Sequence, residues 1–156
     1  MTDAEMLEIF RRDRPPCLRT LNGMPEAVDQ AAGSARIAFE AVADFCHSGD
    51  VVQGGFIAGM IDSAMAQAVL ARTRLALSPP TLELKVSFFA PATPGRYRAE
   101  GRVTHMGQSI VFLEGDLRRE DGVRIAAATA TARLRPVDPA RFPSLSRSMQ
   151  PTREAP

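Results

Sequence analysis

The feature of this chain that most constrains its fold is the run QGGFIAGMIDSAMAQAVLA, which extends from Gln53 to Ala71 and is apolar on nearly every side. It contains no turn dipeptide before the basic residues Arg72 and Arg74, so it predicts a helix of about four to five turns over 55–71. A helix that is apolar all round belongs in a core, because every side of it must be covered. One curved sheet covers only part of such a helix, and a second copy of the chain is the natural cover for the rest.

Asp62 lies near the middle of this apolar run. An ionised carboxylate without a partner is costly to bury. Asp62 is therefore at the boundary of an element, opposite a polar partner, or present to do chemistry. Its charge also disfavours a membrane span, since a central Asp costs about 2.5–3.5 kcal/mol on insertion scales.

The sequence before the helix predicts one helix and one strand. Residues 2–12 predict a short amphipathic helix that opens with a capping box. Residues 18–34 are punctuated by glycine and proline, and they predict a loop that leads into a strand. The alternation in ARIAFEAVADF predicts a half-buried strand over 35–45. Residues 1–34 are thus expected to form an N-terminal helix and loop.

Four strand candidates follow the helix, separated by turn signals. They span 81–89, 96–105, 109–119 and 123–135, and the turns fall at Pro91 to Gly95, at HMGQS and at Asp121-Gly122. A stripe of small side chains on the last strand would let the core helix approach closely; it consists of Ala126, Ala128, Ala130 and Ala132. Residues 136–156 contain five prolines, and they predict an irregular arm to about residue 145 and a disordered tail beyond it.

Composition excludes several classes of function. At 156 residues with a net charge of +1, the chain suits one domain and has no basic footprint for nucleic acid. Cys17 and Cys46 lack the paired spacing of a zinc or redox motif, and the first residues lack the apolar core of a signal peptide. We therefore expect a cytoplasmic protein that binds neither nucleic acid nor membrane and that uses no metal or cofactor.

Several segments resemble the hotdog-fold acyl-CoA thioesterases of the phenylacetyl-CoA thioesterase type. The resemblance rests on VVQGGFIAGMIDSAMAQA, TLELKVSFFAPATPG, HMGQS and the DG…ATATARL ending. It implies an α+β hotdog domain over 35–135, in which a curved antiparallel sheet of five to six strands wraps around a long central helix. It also implies hydrolysis of acyl-CoA thioesters to a free acid and coenzyme A by a homodimer or a dimer-of-dimers tetramer.

The resemblance assigns roles to residues around the central helix. Asp62, nine positions after Gln53, takes the place of the catalytic acid, as general base or as nucleophile. Gly54 takes the place of the glycine whose backbone N–H polarises the thioester carbonyl, and Thr81 takes the place of a Ser or Thr that positions the attacking water. Gln53 departs from the family's usual His and cannot take a proton, whereas His47 stands where many members have Asn and can titrate.

Two further segments match those that line the path of coenzyme A in the family. They comprise Phe88, Phe89, Ala90, Pro91, Ala92 and Thr93, and His105, Met106, Gly107, Gln108, Ser109 and Ile110. Neither segment names the acyl group, so aromatic, short and medium-chain acyl groups all remain open.

Elementary chemistry points independently to a shared site. A helix N-terminus offers free N–H groups, and Gly54 and Gly55 let a substrate carbonyl approach it closely. Asp62 lies eight residues beyond Gly54, or roughly 12 Å along the helix axis, so one carbonyl cannot reach both groups of one helix. Two helices packed antiparallel would bring them together at a dimer interface. A hotdog hydratase or dehydratase, which pairs a His with an acid, and a non-catalytic acyl-CoA binding protein remain alternatives.

Overall fold

The computed structural model of the protein describes residues 1–148. In chain order, its elements are α1 (Asp3–Arg12), α2 (Pro16–Thr20), β1 (Gly23–Asp29), β2 (Ser34–Ala41), β3 (Cys46–Ser48), β4 (Val51–Val52), α3 (Gly54–Arg72), β5 (Leu77–Ser78), β6 (Thr81–Phe88), β7 (Gly95–Met106), β8 (Ile110–Arg119), β9 (Arg124–Arg133), β10 (Arg135–Pro136) and α4 (Pro143–Ser148). Six strands form one antiparallel sheet in the order β1-β2-β7-β8-β9-β6. The predicted architecture, a sheet of five to six strands around a long central helix, is confirmed.

Helix α3 is the core of the fold, and it packs mainly against β7 and β2. A Cβ atom on Gly101 of β7 would lie 2.3 Å from the backbone nitrogen of Met65, so only glycine allows this closeness. A Cβ atom on Gly115 of β8 would likewise lie 2.9 Å from Cγ2 of Ile61. The alanine stripe of β9 is buried as well. The two glycines are a further point of close approach, which the sequence analysis did not single out.

One face of α3 stays partly open within a single chain. Gly59, Asp62, Ser63 and Ala66 are half-exposed, and their spacing of three to four residues places them on the same side of the helix. Within residues 1–148, α3 is the one helix that is long and apolar enough to cross a membrane, but 56% of its most apolar window is buried inside the protein. That burial is typical of the core helix of a soluble protein, and the open face is where the predicted second copy would have to pack.

The segment before the core is more ordered than the predicted loop. Helix α1 opens with the predicted capping box, in which the Glu5 N–H donates to the Thr2 hydroxyl at 3.2 Å. The loop predicted over 18–34, however, holds strand β1, which pairs with β2 through a bulge after Pro25. A proline within a run argues against a strand when only the sequence is known, which is why this segment was predicted as a loop. On an edge strand, however, a proline is tolerated at a bulge. Strand β2 also ends earlier than predicted, because a short 3-10 helix at Ala43–Phe45 follows it.

The proline-rich arm is likewise more ordered than predicted. Strand β10 pairs with β5, and the Phe142 ring packs 6.5 Å from that of Phe10 on α1. The backbone N–H and the hydroxyl of Ser144 both donate to the carboxylate of Asp13. The contacts of Phe142 and Ser144 join segments more than 100 residues apart in the chain, which local sequence patterns do not encode. The predicted disordered tail falls mostly on residues 149–156, which lie outside the described residues.

Candidate active site

The carboxylate of Asp62 has a polar partner on the neighbouring strand. The hydroxyl of Thr81 donates a hydrogen bond to Oδ1 of Asp62 at 2.8 Å. Asp62 projects from the open face of α3, and Thr81 is the first residue of β6, the last strand of the sheet. Asp62 is half-buried and Thr81 is exposed, so the acid keeps access to solvent. The polar partner that the sequence offered as one explanation for Asp62 is therefore present, and Oδ2 accepts no hydrogen bond within residues 1–148.

The start of α3 offers a second group with free hydrogen-bonding capacity, the backbone N–H of Gly54. Gln53 is the N-cap residue, and its Oε1 accepts a hydrogen bond from the Gly55 N–H at 2.7 Å. The Gly54 N–H donates to no acceptor within residues 1–148. A Cβ atom on Gly54 would lie 3.0 Å from Cζ of Phe88, so the aromatic ring packs directly over this glycine. A free N–H at the positive end of a helix can polarise a carbonyl oxygen.

A groove of about 460 Å³ adjoins Gly54. Its walls come from the start of α3 and from the segment that follows β6, namely Val51, Val52, Gly54, Ile57, Phe88, Phe89, Ala90, Pro91 and Ala92. One predicted coenzyme A segment, 88–92, therefore lines the same groove as the predicted carbonyl-binding glycine. Thr93 ends this segment, and its backbone N–H and carbonyl oxygen are held by the Tyr97 hydroxyl at 3.0 and 2.6 Å.

The other predicted coenzyme A segment, His105 to Ile110, lies at the opposite end of the sheet. Thr81 is opposite Ala132 of β9, and Ala132 is opposite Val111 of β8, next to this turn. Phe88, at the far end of β6, is roughly 23 Å from Thr81 along the strand. A single chain thus places Asp62, Thr81 and the turn at one end of the sheet and Gly54 with its groove at the other.

His47 belongs to the Gly54 end of the molecule. It lies on the exposed β3–β4 hairpin that leads into α3, and its Nδ1 is 2.8 Å from the Ser48 hydroxyl oxygen. Within the described part of the chain, no hydrogen bond joins His47 to Asp62, whose partner is Thr81. His47 and the acid therefore do not form a catalytic pair inside one chain.

Strand β6 carries an exposed apolar row that sequence analysis did not place at an edge. Leu82 is 61% exposed and Phe88 is 52% exposed. The outer edge of β6 pairs with no strand within residues 1–148. A long edge strand with exposed apolar side chains is a template for pairing with a strand of another chain. No local signal marks β6 as an edge, because the strand order is decided by topology.

A smaller cavity of about 130 Å³ opens beside Asp62. Sequence reasoning missed it because its walls include segments that were predicted as a loop and an irregular arm. Among its lining residues are Asp62, Gln67 and Leu70 of α3, Leu18 of α2, Phe10 of α1 and Phe142 of the arm.

The family model of the thioesterase superfamily matches residues 49–126, which include Gln53, Gly54, Asp62, Thr81 and the segment 88–92. A protein of Saccharolobus solfataricus named "Putative esterase" is 32% identical over 79 residues. That match covers 51% of this chain and 56% of the other protein, so the chain matches little more than half the length of this curated relative.

Solved structures with the same architecture cover most of the chain. A "putative thioesterase, phenylacetic acid degradation-related protein" from Ralstonia eutropha JMP134 is 32% identical and has a TM-score of 0.74; the match covers 82% of this chain and 98% of the other. A hypothetical thioesterase from Streptococcus pneumoniae TIGR4, solved with coenzyme A, is 16% identical with a TM-score of 0.70 and covers 84% of this chain and 98% of the other. At that identity, the second likeness shows the fold alone.

Proposed function

Because the chain belongs to the thioesterase superfamily and has the hotdog fold of the phenylacetic acid degradation type, we propose that it hydrolyses acyl-CoA thioesters to a free acid and coenzyme A. The single observation that carries the proposal is the carboxylate of Asp62, held by the Thr81 hydroxyl at 2.8 Å on the open face of the core helix. The coenzyme A in the structure of the pneumococcal thioesterase supports the choice of thioester.

Asp62 supplies the group that starts the reaction. As a general base it takes a proton from water, whose oxygen bonds to the carbonyl carbon; as a nucleophile it forms a mixed anhydride that water then hydrolyses. The carbon–sulfur bond breaks in both routes. In the general-base route Asp62 passes the proton that it took from water to the leaving thiolate, and in the nucleophile route the thiolate takes a proton from solvent water. The Thr81 hydroxyl orients the carboxylate, and the free Gly54 N–H stabilises the negative charge that develops on the carbonyl oxygen.

The site is completed by a second copy of the chain. Antiparallel pairing of the free edges of two β6 strands, with Thr81 opposite Phe88 of the second copy, is the isologous contact of a twofold dimer. It brings Asp62 of one copy to Gly54 of the other, and the turn at 105–110 to the groove lined by 88–92. The pairing also covers the exposed Leu82 and Phe88 side chains, which supports it.

The test is the release of free thiol from a panel of acyl-CoA thioesters that includes acetyl, hexanoyl and phenylacetyl groups. Asp62→Asn keeps the size of the side chain but removes its basicity, and we expect the kcat to fall by about 10²–10⁴-fold. Asp44→Asn, which alters an exposed carboxylate outside the site, is the matched control and should keep the wild-type rate.

Two other results would change the assignment. Binding of acyl-CoA thioesters without thiol release from any of them would identify a non-catalytic binding protein. Hydration of an enoyl thioester, followed as loss of absorbance, would identify a hydratase. His47 is hydrogen-bonded to Ser48 and not to the acid, so the geometry of one chain does not favour that second reaction.

A further inference from the structure

The segment that follows β6 has few backbone donors of its own. Its sequence, APATP over 90–94, contains two prolines, which have no N–H. At its start, the N–H groups of Phe89 and Ala90 both donate to the Ile125 carbonyl oxygen of β9, at 2.8 and 3.4 Å. Beyond this point the segment leaves the sheet, so its far end depends on other partners.

A buried side chain of β7 holds that far end. The Tyr97 hydroxyl donates to the Thr93 carbonyl oxygen at 2.6 Å and accepts from the Thr93 N–H at 3.0 Å. Tyr97 is 2% exposed and lies in the core, opposite Phe39 of β2. A phenol donates and accepts at once, so one hydroxyl satisfies both backbone groups of Thr93.

The segment that Tyr97 holds forms one wall of the groove beside Gly54. Residues 88–92 line the groove, and Ala92 is 2% exposed. The Ala92 carbonyl oxygen accepts from the Val52 N–H at 2.9 Å, which joins this wall to the strand before α3. The shape of the groove therefore depends on a hydroxyl that lies behind its wall.

The start of α3 is held separately from this wall. The Gln53 N–H donates to the Phe45 carbonyl oxygen at 2.8 Å, and the Gln53 side chain caps the helix. Neither of these hydrogen bonds involves residues 88–93. Removal of the Tyr97 hydroxyl would therefore loosen the wall of the groove while the Gly54 N–H keeps its position.

We propose that Tyr97 is a positioning residue for the pantetheine arm of coenzyme A, because its hydroxyl fixes the wall formed by 88–93. The role is indirect, since Tyr97 is buried and bonds to the wall. The hydroxyl serves binding of the arm, whereas Asp62 and Gly54 serve the reacting carbonyl, so affinity and chemistry depend on different residues. The inference rests on the proposed thioesterase function, since it assigns the groove to the arm of that substrate.

The test uses Tyr97→Phe, which keeps the buried ring and removes only the hydroxyl. Both backbone groups of Thr93 then lose their partner, so we expect the Kd for coenzyme A, measured by titration calorimetry, to rise about tenfold or more. The KM for hexanoyl-CoA should rise in parallel, and the kcat should stay within about threefold of the wild-type value. Hexanoyl-N-acetylcysteamine lacks the nucleotide and most of the arm, so its kcat/KM should change by less than about threefold.

Ile37→Val separates positioning from stability. Ile37 is 0% exposed in the same core, and it is not among the residues that line the groove. Removal of one methylene group should lower the melting temperature and leave the Kd for coenzyme A unchanged. All assays use a temperature at which both variants are folded. A merely structural Tyr97 would make Tyr97→Phe behave in the same way, so a wild-type Kd in that variant would overturn the proposal.

Hydrogen–deuterium exchange gives a second readout that needs no variant. Saturating coenzyme A should slow the exchange of the peptide that contains 88–93 and leave that of β1, at the other edge of the sheet, unchanged. Equal exchange of the 88–93 peptide with and without coenzyme A would overturn the proposal, even if Tyr97→Phe does not fold.

The outcomes separate this inference from the proposed function. A higher Kd in Tyr97→Phe without thiol release by the wild-type protein would overturn the thioesterase assignment and leave the role of Tyr97 standing. Equal KM and kcat values in the two proteins would overturn the role of Tyr97 and leave the thioesterase assignment standing. Failure of the wild-type protein to bind coenzyme A would also overturn the role of Tyr97, and thiol release from the acyl-CoA panel would then decide the thioesterase assignment alone.

Discussion

The Thr81 hydroxyl and the Asp62 carboxylate share a 2.8 Å hydrogen bond that ties the middle of the core helix to the first residue of the edge strand. The bond explains how an apolar helix accommodates an acid: the carboxylate is half-buried, has a hydrogen-bond donor, and lies on the one face of the helix that the sheet leaves open. It also places the acid at the margin of the chain, where a second copy can complete a site.

Thr81→Val removes the hydroxyl and keeps the shape of the side chain. Hydrogen bonds to charged groups contribute about 1.5–3 kcal/mol, so we expect the kcat for thiol release to fall by about 10- to 100-fold. Thr81→Ser retains the hydroxyl and should stay within about threefold of the wild-type kcat. A wild-type kcat in the valine variant would show that Thr81 is only an ordinary strand residue.

A mixture of two inactive variants tests the shared site. Asp62→Asn removes the acid, and Gly54→Val places a side chain against the Phe88 ring, which lies 3.0 Å from the position of a Cβ atom. Random pairing of equal amounts makes half of the dimers mixed, and each mixed dimer has one intact site. Denaturing and refolding the two variants together should therefore restore about a quarter of the wild-type activity.

Refolding each variant separately and then combining the two gives the control, which should stay inactive while the dimers do not exchange subunits. If each site lay within one chain, the co-refolded mixture would be equally inactive, and the pairing of two β6 strands would be rejected.

Gln53→Ala separates a capping role for this residue from a catalytic one. The substitution removes the side chain that accepts from the Gly55 N–H at 2.7 Å, so we expect about 1 kcal/mol of lost unfolding free energy by urea denaturation. Gln53→Ser retains a good capping side chain and should be close to wild type. Because the Gly54 N–H is untouched, kcat/KM should change by less than about threefold. A loss comparable to that of Asp62→Asn would instead place Gln53 in the chemistry.

Gly101→Ala tests the closeness of helix and sheet. Its Cβ atom would lie 2.3 Å from the Met65 backbone nitrogen, and backbone cannot move aside as a flexible side chain can. We expect a loss of about 3 kcal/mol or more, seen as a lower melting temperature. Gly59→Ala is the matched control inside α3, where the nearest atom, Cδ1 of Leu21, is 3.5 Å away. That variant should be stabilised by about 0.5–1 kcal/mol, because alanine favours a helix over glycine.

Much of the fold is predictable from local patterns. Helix α3 and the four strands after it are recognisable because each carries its own period and its own turn signals, such as Asp121-Gly122. Strand β1 and the arm are not recognisable in this way. Strand β1 contains a proline at a bulge, and the arm is ordered by Phe142 and Ser144, which contact α1 at the other end of the chain.

The candidate site, like the fold, is predictable from the sequence only in part. The positions of Asp62, Gly54 and Thr81 follow from their spacing in the chain and from the family that they resemble.

The sequence by itself determined the core helix and the strands that follow it, because hydrophobic period and turn signals are local properties. Only the tertiary structure decided that β6 is an edge strand, that Gly54 and Asp62 lie towards opposite ends of it, and that the arm closes a cavity over Gln67. Those relationships depend on which distant segments share surfaces, and burial and strand order are set by the packing of the whole chain.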